Sequence, residues 1–227
     1  MSDIIQNLSE IRDRIVAASQ KTSRSPESVK LVAVSKIKPA AMIREAYEAG
    51  QRLFGENYAQ ELRDKVLELS DLDIDWHFIG HLQKNKAKYV APIATLVQTI
   101  DSTALADAID RRADKSIDCL IEINVGGELS KAGTDENNYL DVARHIQKLS
   151  NLKLKGLMTI PPYDTDPEKS RPYFQKLRNL LQKMNEELKP DAPFIELSMG
   201  MSHDFEVAIE EGATIVRVGT AIFGERT

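Results

Sequence analysis

With 227 residues and a formal net charge of −5, the chain has no overall basic field of the kind that draws nucleic acid or an anionic membrane surface. Its one cysteine, Cys119, excludes an intrachain disulfide and any zinc site built from several cysteines, and fits a reducing compartment. The length suits one domain over residues 1–227, and a hydrophobic content of 42% is enough to fill its core.

In chain order, the first element is a helix over 2–20. Asp3, Glu10, Arg12 and Asp13 interrupt its apolar positions, so it lacks the unbroken apolar core of a signal peptide. No later stretch is long enough to span a bilayer, and a cytoplasmic protein with no membrane partner is expected. The run 30–36 reads as a buried strand that delivers Lys36 to its C-terminal tip, just before Pro39 opens a helix over 39–50. Further strands are expected at 52–54, 75–80, 95–100, 118–124, 154–160, 194–199 and 214–219. Helices are expected at 56–69, 82–90, 102–115, 135–149, 167–188 and 203–212, with a loop rich in turn formers at 161–167. Strands alternating with helices imply parallel pairing through right-handed crossovers. Eight of them predict a closed (β/α)8 barrel with an extra N-terminal helix. Little chain follows Thr220, and helix 2–20 is expected to cover the place of an eighth outer helix.

Barrel sites form at the C-terminal strand tips. Here the tips are polar: Lys36, Asn57, His81, Asp101, Asn124, Met158-Thr159, Ser198 to Ser202, and Arg217 to Thr220. Loops begin at these points in any barrel, so polarity alone is not specific. A lysine amine with its ordinary pKa of about 10.4 is mostly protonated at neutral pH, while attack on an aldehyde needs the free base. Partial burial and a nearby cation, Lys38 or Arg217, would favour that base; a solvated strand-end lysine is the other reading. Ser202 opens segment 203–212 and is either its N-cap or a hydroxyl donor to a ligand. Gly219-Thr220 ends the last strand beside it, and Arg217, two residues earlier, points the same way. Phosphate binding after strands seven and eight recurs in barrels. A phosphate-bearing aldehyde satisfies Lys36 and these residues together. His77 and His81 lie four apart on a strand, roughly 13 Å, too far for one metal ion, and no metal is expected. No paired-carboxylate pattern and no G-x-S-x-G hydrolase motif is present.

Six ordered motifs carry a resemblance: Val32-Ala33-Val34-Ser35-Lys36, Phe54-Gly55-Glu56-Asn57-Tyr58, His77 to Gln83 with Asn85-Lys86, Gly156-Leu157-Met158-Thr159, Leu197 to Ser202, and Arg217 to Gly224. Together they resemble the pyridoxal phosphate homeostasis protein family nearly end to end. The resemblance implies a barrel similar to the N-terminal domain of alanine racemase, with pyridoxal 5′-phosphate held as an internal aldimine on Lys36. By the same resemblance Ser202, Gly219 and Thr220 form a phosphate cup, and Asn57, His81 and Met199 are pocket walls. Arg217 sits where racemases of this fold place an arginine against the pyridine nitrogen; a cation there disfavours protonation of that nitrogen and restrains carbanion chemistry. The chain departs from the family pattern at Lys84 and His203, neither assigned to the ligand. The implied function is non-catalytic: buffering, storage or delivery of the cofactor to apo-enzymes that depend on it. The alternative is an amino-acid racemase, which in this fold draws its second base, a tyrosine, from a C-terminal β-domain. The chain stops at Thr227 without one, so neither racemisation nor the racemase dimer is expected, and the protein is expected to be a monomer.

Overall fold

The computed structural model describes residues 3–128 and 132–225; Ser2, in the expected first helix, lies outside them. Helix α1 (Asp3–Lys21) buries Ile4, Leu8, Ile11, Ile15 and Ala18, a 4-3-4-3 spacing that puts them on one face. Strand and helix then alternate: β1 (Lys30–Val34), α2 (Ala40–Glu48), β2 (Leu53–Glu56), α3 (Ala59–Glu68), β3 (Asp75–Phe78), α4 (Ala87–Val90), β4 (Leu96–Ile100) and α5 (Thr103–Asp110). The second half continues with β5 (Ile117–Glu122), α6 (Tyr139–Ile146), β6 (Leu152–Met158), α7 (Arg171–Leu188), β7 (Glu196–Ser198), α8 (Phe205–Glu210), β8 (Ile215–Val218) and α9 (Thr220–Phe223). The strands pair in parallel in sequence order, and β8 closes onto β1 with Val32 opposite Arg217, completing the (β/α)8 barrel.

Alternation along the strands sorts side chains into two cores. Inside the barrel, Val32, Leu96, Leu120, Met158 and Ile215 form a small apolar plug. Outside it, Ala33, Phe54, Val216 and Val218 belong to the large core between sheet and helices. The rest of the interior is polar: Gln98, Ser198, Glu122 and Arg217 are buried, and so is His77, which lies level with Leu96 of the plug and lines a groove with Lys30, Asp75 and Glu196 at the N-terminal ends of the strands.

Boundaries differ from the sequence reading where side chains compete with the backbone ladder. Strand β1 stops at Val34 because Ser35 to Lys38 form a tight turn closed by Lys38 N donating to Ser35 O (3.0 Å). Helix α6 starts at Tyr139 rather than 135, since the Asp135 carboxylate accepts from Asn137 N and Asn138 N in an Asx-type turn. Helix α9 was not expected. It follows β8 directly, and α1 covers it and α8: Asn7 Nδ2 donates to Ile222 O (3.0 Å), and Arg14 pairs with Glu206 (2.6 Å) while lying over the Phe205 ring. Among the described residues no helix is long and apolar enough to cross a membrane.

Candidate functional site

At the C-terminal ends of the strands lies a cavity of about 230 Å³, walled by Val34, Lys36, Asn57, Ser202, Arg217 and Thr220 among others. Strand alternation explains two of its sides. Val32 and Val34 face inward on β1 and Lys36 follows in the same phase, while Ile215, Arg217 and Gly219 do so along β8. At Gly219 an added Cβ would lie 3.2 Å from Val34 O, so a side chain there would push the two strands' ends apart.

Ser202 and Thr220 meet at one end of this cavity. The Ser202 hydroxyl accepts from Gly219 N at 3.3 Å and pairs with the Thr220 hydroxyl at 3.2 Å. It is not an N-cap. Helix α8 begins only at Phe205, and the carboxylate of Asp204 takes up Met201 N (2.7 Å) and the Ser170 hydroxyl (2.9 Å). This leaves the Ser202 oxygen turned toward β8. Gly200, at φ +92°, makes the bend that separates Ser202 from the end of β7; a Cβ there would come within 2.6 Å of Ala208.

Arg217 is held from inside the barrel. Its Nη1 donates to Ser198 Oγ (2.5 Å) and its Nη2 to Thr159 O (2.8 Å). Ser198 Oγ donates to Gln98 Oε1 (2.6 Å), and Gln98 Nε2 bonds His77 Nδ1 (3.0 Å). With Gln98 donating, the His77 ring is neutral, and burial indeed pushes it down to about 4. The Arg217 guanidinium is lowered to about 10, first by burial, against the pull of Glu122 and Asp204. Ser198, grouped from sequence with the phosphate-friendly residues, is thus a spacer in this interior chain.

The structure brings Lys36, Asn57, Ser202, Arg217, Gly219 and Thr220 to one cavity. It does not bring His81 or Met199. His81 is largely exposed in a neighbouring groove, across Asn57 from the cavity, with Asp101 at 3.7 Å. Met199 is fully buried in the outer core, and Met201, past the bend at Gly200, lines the cavity instead. Sequence reasoning missed Tyr163 and His203, which line the cavity with ring centroids 5.0 Å apart. It also missed Glu122, a buried carboxyl pushed up to about 7 by burial, with Arg217 opposing the shift. Glu122 ends a strand, a signal that was present; Tyr163 sits in a turn-rich loop whose path no periodicity reveals.

What would occupy such a cavity can be judged from atoms left without partners. Asn57 Oδ1 and His203 Nε2 are buried with no hydrogen-bond partner inside the protein, though both residues line the cavity. Buried polar groups normally find one. Asn57 itself is fixed from behind, since a Cβ on Gly80 would fall 2.1 Å from Asn57 O. An amine, two hydroxyls, a buried guanidinium and these two polar atoms suit a small ligand bearing an aldehyde, a phosphate and a polar ring.

Barrel and cavity define a protein of the alanine racemase N-terminal domain class: residues 6–227 match the family described as "Alanine racemase, N-terminal domain". An alanine racemase from Clostridium difficile 630 shares the fold at TM-score 0.74 with 15% identity, covering 99% of this chain and 57% of its own. A pyridoxal phosphate homeostasis protein from Aquifex aeolicus is 48% identical over 224 residues, 97% of each chain. Its counterpart in Escherichia coli K12 is 42% identical, covering 100% of this chain and 98% of its own. The solved structure of PipY from Synechococcus elongatus, with PLP bound, superimposes at TM-score 0.85 with 38% identity, covering 97% of this chain and 100% of that one. The chain belongs to the pyridoxal phosphate homeostasis protein family.

Proposed function

We propose that this protein holds pyridoxal 5′-phosphate through Lys36, as a single-domain, monomeric cytoplasmic store or carrier that supplies apo-enzymes and is not itself a catalyst. The observation that carries this reading is the convergence, on one cavity, of the Lys36 amine with the Ser202–Thr220 hydroxyl pair and the buried Arg217. The relatives' names and the PLP-bound neighbour support it. When bound, the group supplies an electrophilic aldehyde and an electron-withdrawing ring. Lys36 offers the amine that captures the aldehyde, and Ser202, Gly219 and Thr220 grip the phosphate. Asn57 Oδ1 and His203 Nε2, unpartnered in the cavity wall, would be available to polar groups of the ring. Arg217 keeps a cation in the wall, and a cation opposes the uptake of a further positive charge nearby. His81 and Met199 drop out of this assignment because they do not face the cavity.

The test is an absorbance spectrum after incubation with pyridoxal phosphate, followed by borohydride reduction and peptide mapping. The expected result is a long-wavelength band and a reduced adduct on Lys36. A protein that stays colourless overturns the reading, and rapid exchange of the α-hydrogen of added alanine would favour the racemase instead. Replacing Ser202 by alanine removes the acceptor of Gly219 N and one hydroxyl of the phosphate grip. It should weaken affinity roughly tenfold, about one charge-assisted hydrogen bond, while reduction still labels Lys36; equilibrium dialysis against pyridoxal phosphate measures the loss.

A further inference from the structure

Lys36 sits at the second position of the turn Ser35 to Lys38, and the third position, Ile37, has φ +62°. That is the left-handed region, where a β-branched residue is a genuine outlier. A residue held there persists when its surroundings over-determine it, and such residues gather at functional sites. Ile37 is also an exposed hydrophobic side chain, so apolar packing does not hold the turn.

What grips it comes from the neighbouring strand and helix. Glu61, in the first turn of α3, accepts from Ile37 N at 2.6 Å, at the strained residue itself. Lys65, one helical turn later, donates to Ser35 O (2.7 Å), Glu61 Oε1 (2.6 Å) and Glu56 Oε1 (2.7 Å). Glu56, on the helix-facing side of β2, accepts from the Ser35 hydroxyl at 2.6 Å. Three side chains from two elements thus hold the residues on both sides of Lys36. Glu56 is fully buried and Lys65 nearly so. Buried ion pairs are costly to maintain and weak evidence of stabilisation, which directs attention to what this one orients.

We propose that Glu61, with Lys65 and Glu56 behind it, is a positioning residue for Lys36: it holds Ile37 left-handed so that the lysine amine enters the cavity at the angle needed to capture an aldehyde. This rests on the proposed function, and deepens it. The clamp reaches β1 from the β2 and α3 side and acts on the covalent step, whereas the phosphate grip follows β7 and β8 on the opposite side of β1 and is not contacted by it.

Two ligands separate those steps. Pyridoxal 5′-phosphate uses both, whereas pyridoxine 5′-phosphate, an alcohol in place of the aldehyde, uses only the non-covalent contacts. Glu61→Ala places the best helix former in α3 and should retain the fold. It is expected to release pyridoxal phosphate about tenfold faster on dilution, followed by loss of the long-wavelength band, because a misplaced reacting group loses orientation. Its affinity for pyridoxine phosphate should match wild type. Glu61→Gln keeps an oxygen for Ile37 N and should retain the cofactor. Adding Ile37→Gly to Glu61→Ala should recover retention, since glycine adopts φ +62° freely. The inference is overturned if Glu61→Ala retains pyridoxal phosphate like wild type, if both ligands weaken equally, or if Ile37→Gly restores nothing. A wild-type protein that never takes up pyridoxal phosphate overturns the function proposed above, and this inference with it.

Discussion

Lys36→Ala is expected to give a folded protein that develops no long-wavelength band with pyridoxal phosphate and carries no label after borohydride. The side chain is half-buried beyond the last ladder residue of β1 and outside both apolar cores, so its truncation should leave the barrel folded. Affinity for the aldehyde form should fall at least a hundredfold, or roughly 2.7 kcal/mol, because the covalent link is gone and only the phosphate and ring contacts remain. Pyridoxine phosphate, which never used the link, should bind as before. The comparison distinguishes a lost bond from a lost pocket. If labelling persists and maps to Lys38, whose Nζ donates to Glu225 O at 2.6 Å beside the same cavity, the capturing amine has been assigned to the wrong lysine.

The second large effect is on stability. Lys65→Met removes the partner of a carboxylate that lies wholly inside the protein, between β2 and α3. Breaking a buried pair from one side costs about 3–5 kcal/mol, because the remaining charge is stranded. Methionine fills similar volume, so the loss is chiefly electrostatic. The pH dependence follows from Glu56. Its carboxyl already stands above the ordinary range, raised first by burial and held down by Lys65 and the hydrogen bonds of Lys65 and Ser35. A raised carboxyl binds a proton more tightly folded than unfolded. Its contribution is therefore complete below the ordinary carboxylate pKa and is lost as pH rises through the folded value. Without Lys65 the folded value climbs further. Urea unfolding of Lys65→Met should show the deficit largest at alkaline pH and shrinking toward acid, where Glu56 takes up its proton. A deficit that does not change with pH would mean that packing, not charge, is what Lys65 contributes.

Much of the barrel was legible beforehand because its signals are local. Most strand runs are rich in apolar residues, as strands buried between the barrel interior and the helices must be, and each was bounded by turn formers or amphipathic stretches. The eight strands and the covering role of α1 follow from that pattern. The short run at 52–54 proved to be a full barrel strand, Leu53–Glu56. Its last two residues were read as loop and helix because Gly55 and Glu56 carry no strand signal of their own. Helix α9 escaped for a related reason: four residues are too few to show a period.

At the site, sequence alone determined which residues gather at or just past the C-terminal ends of the strands: Lys36, Asn57, Arg217, Gly219 and Thr220 follow from period-2 alternation and from the motifs. Only the tertiary structure decided the roles that depend on direction. Ser202 became a hydroxyl facing β8 because α8 starts only at Phe205 and the Asp204 carboxylate, two residues on, takes up Met201 N. Met199 turned into the outer core and Met201 into the cavity because Gly200 bends the chain between them. His81 was carried across Asn57 to a separate groove. Glu56 and Lys65, unremarkable in sequence as an acid and a lysine of the expected helix 56–69, became a buried clamp on the turn bearing Lys36. Alternation is set by neighbours along the chain, whereas a hydrogen bond or buried ion pair between residues far apart in sequence exists only once the barrel has closed and brought their elements together.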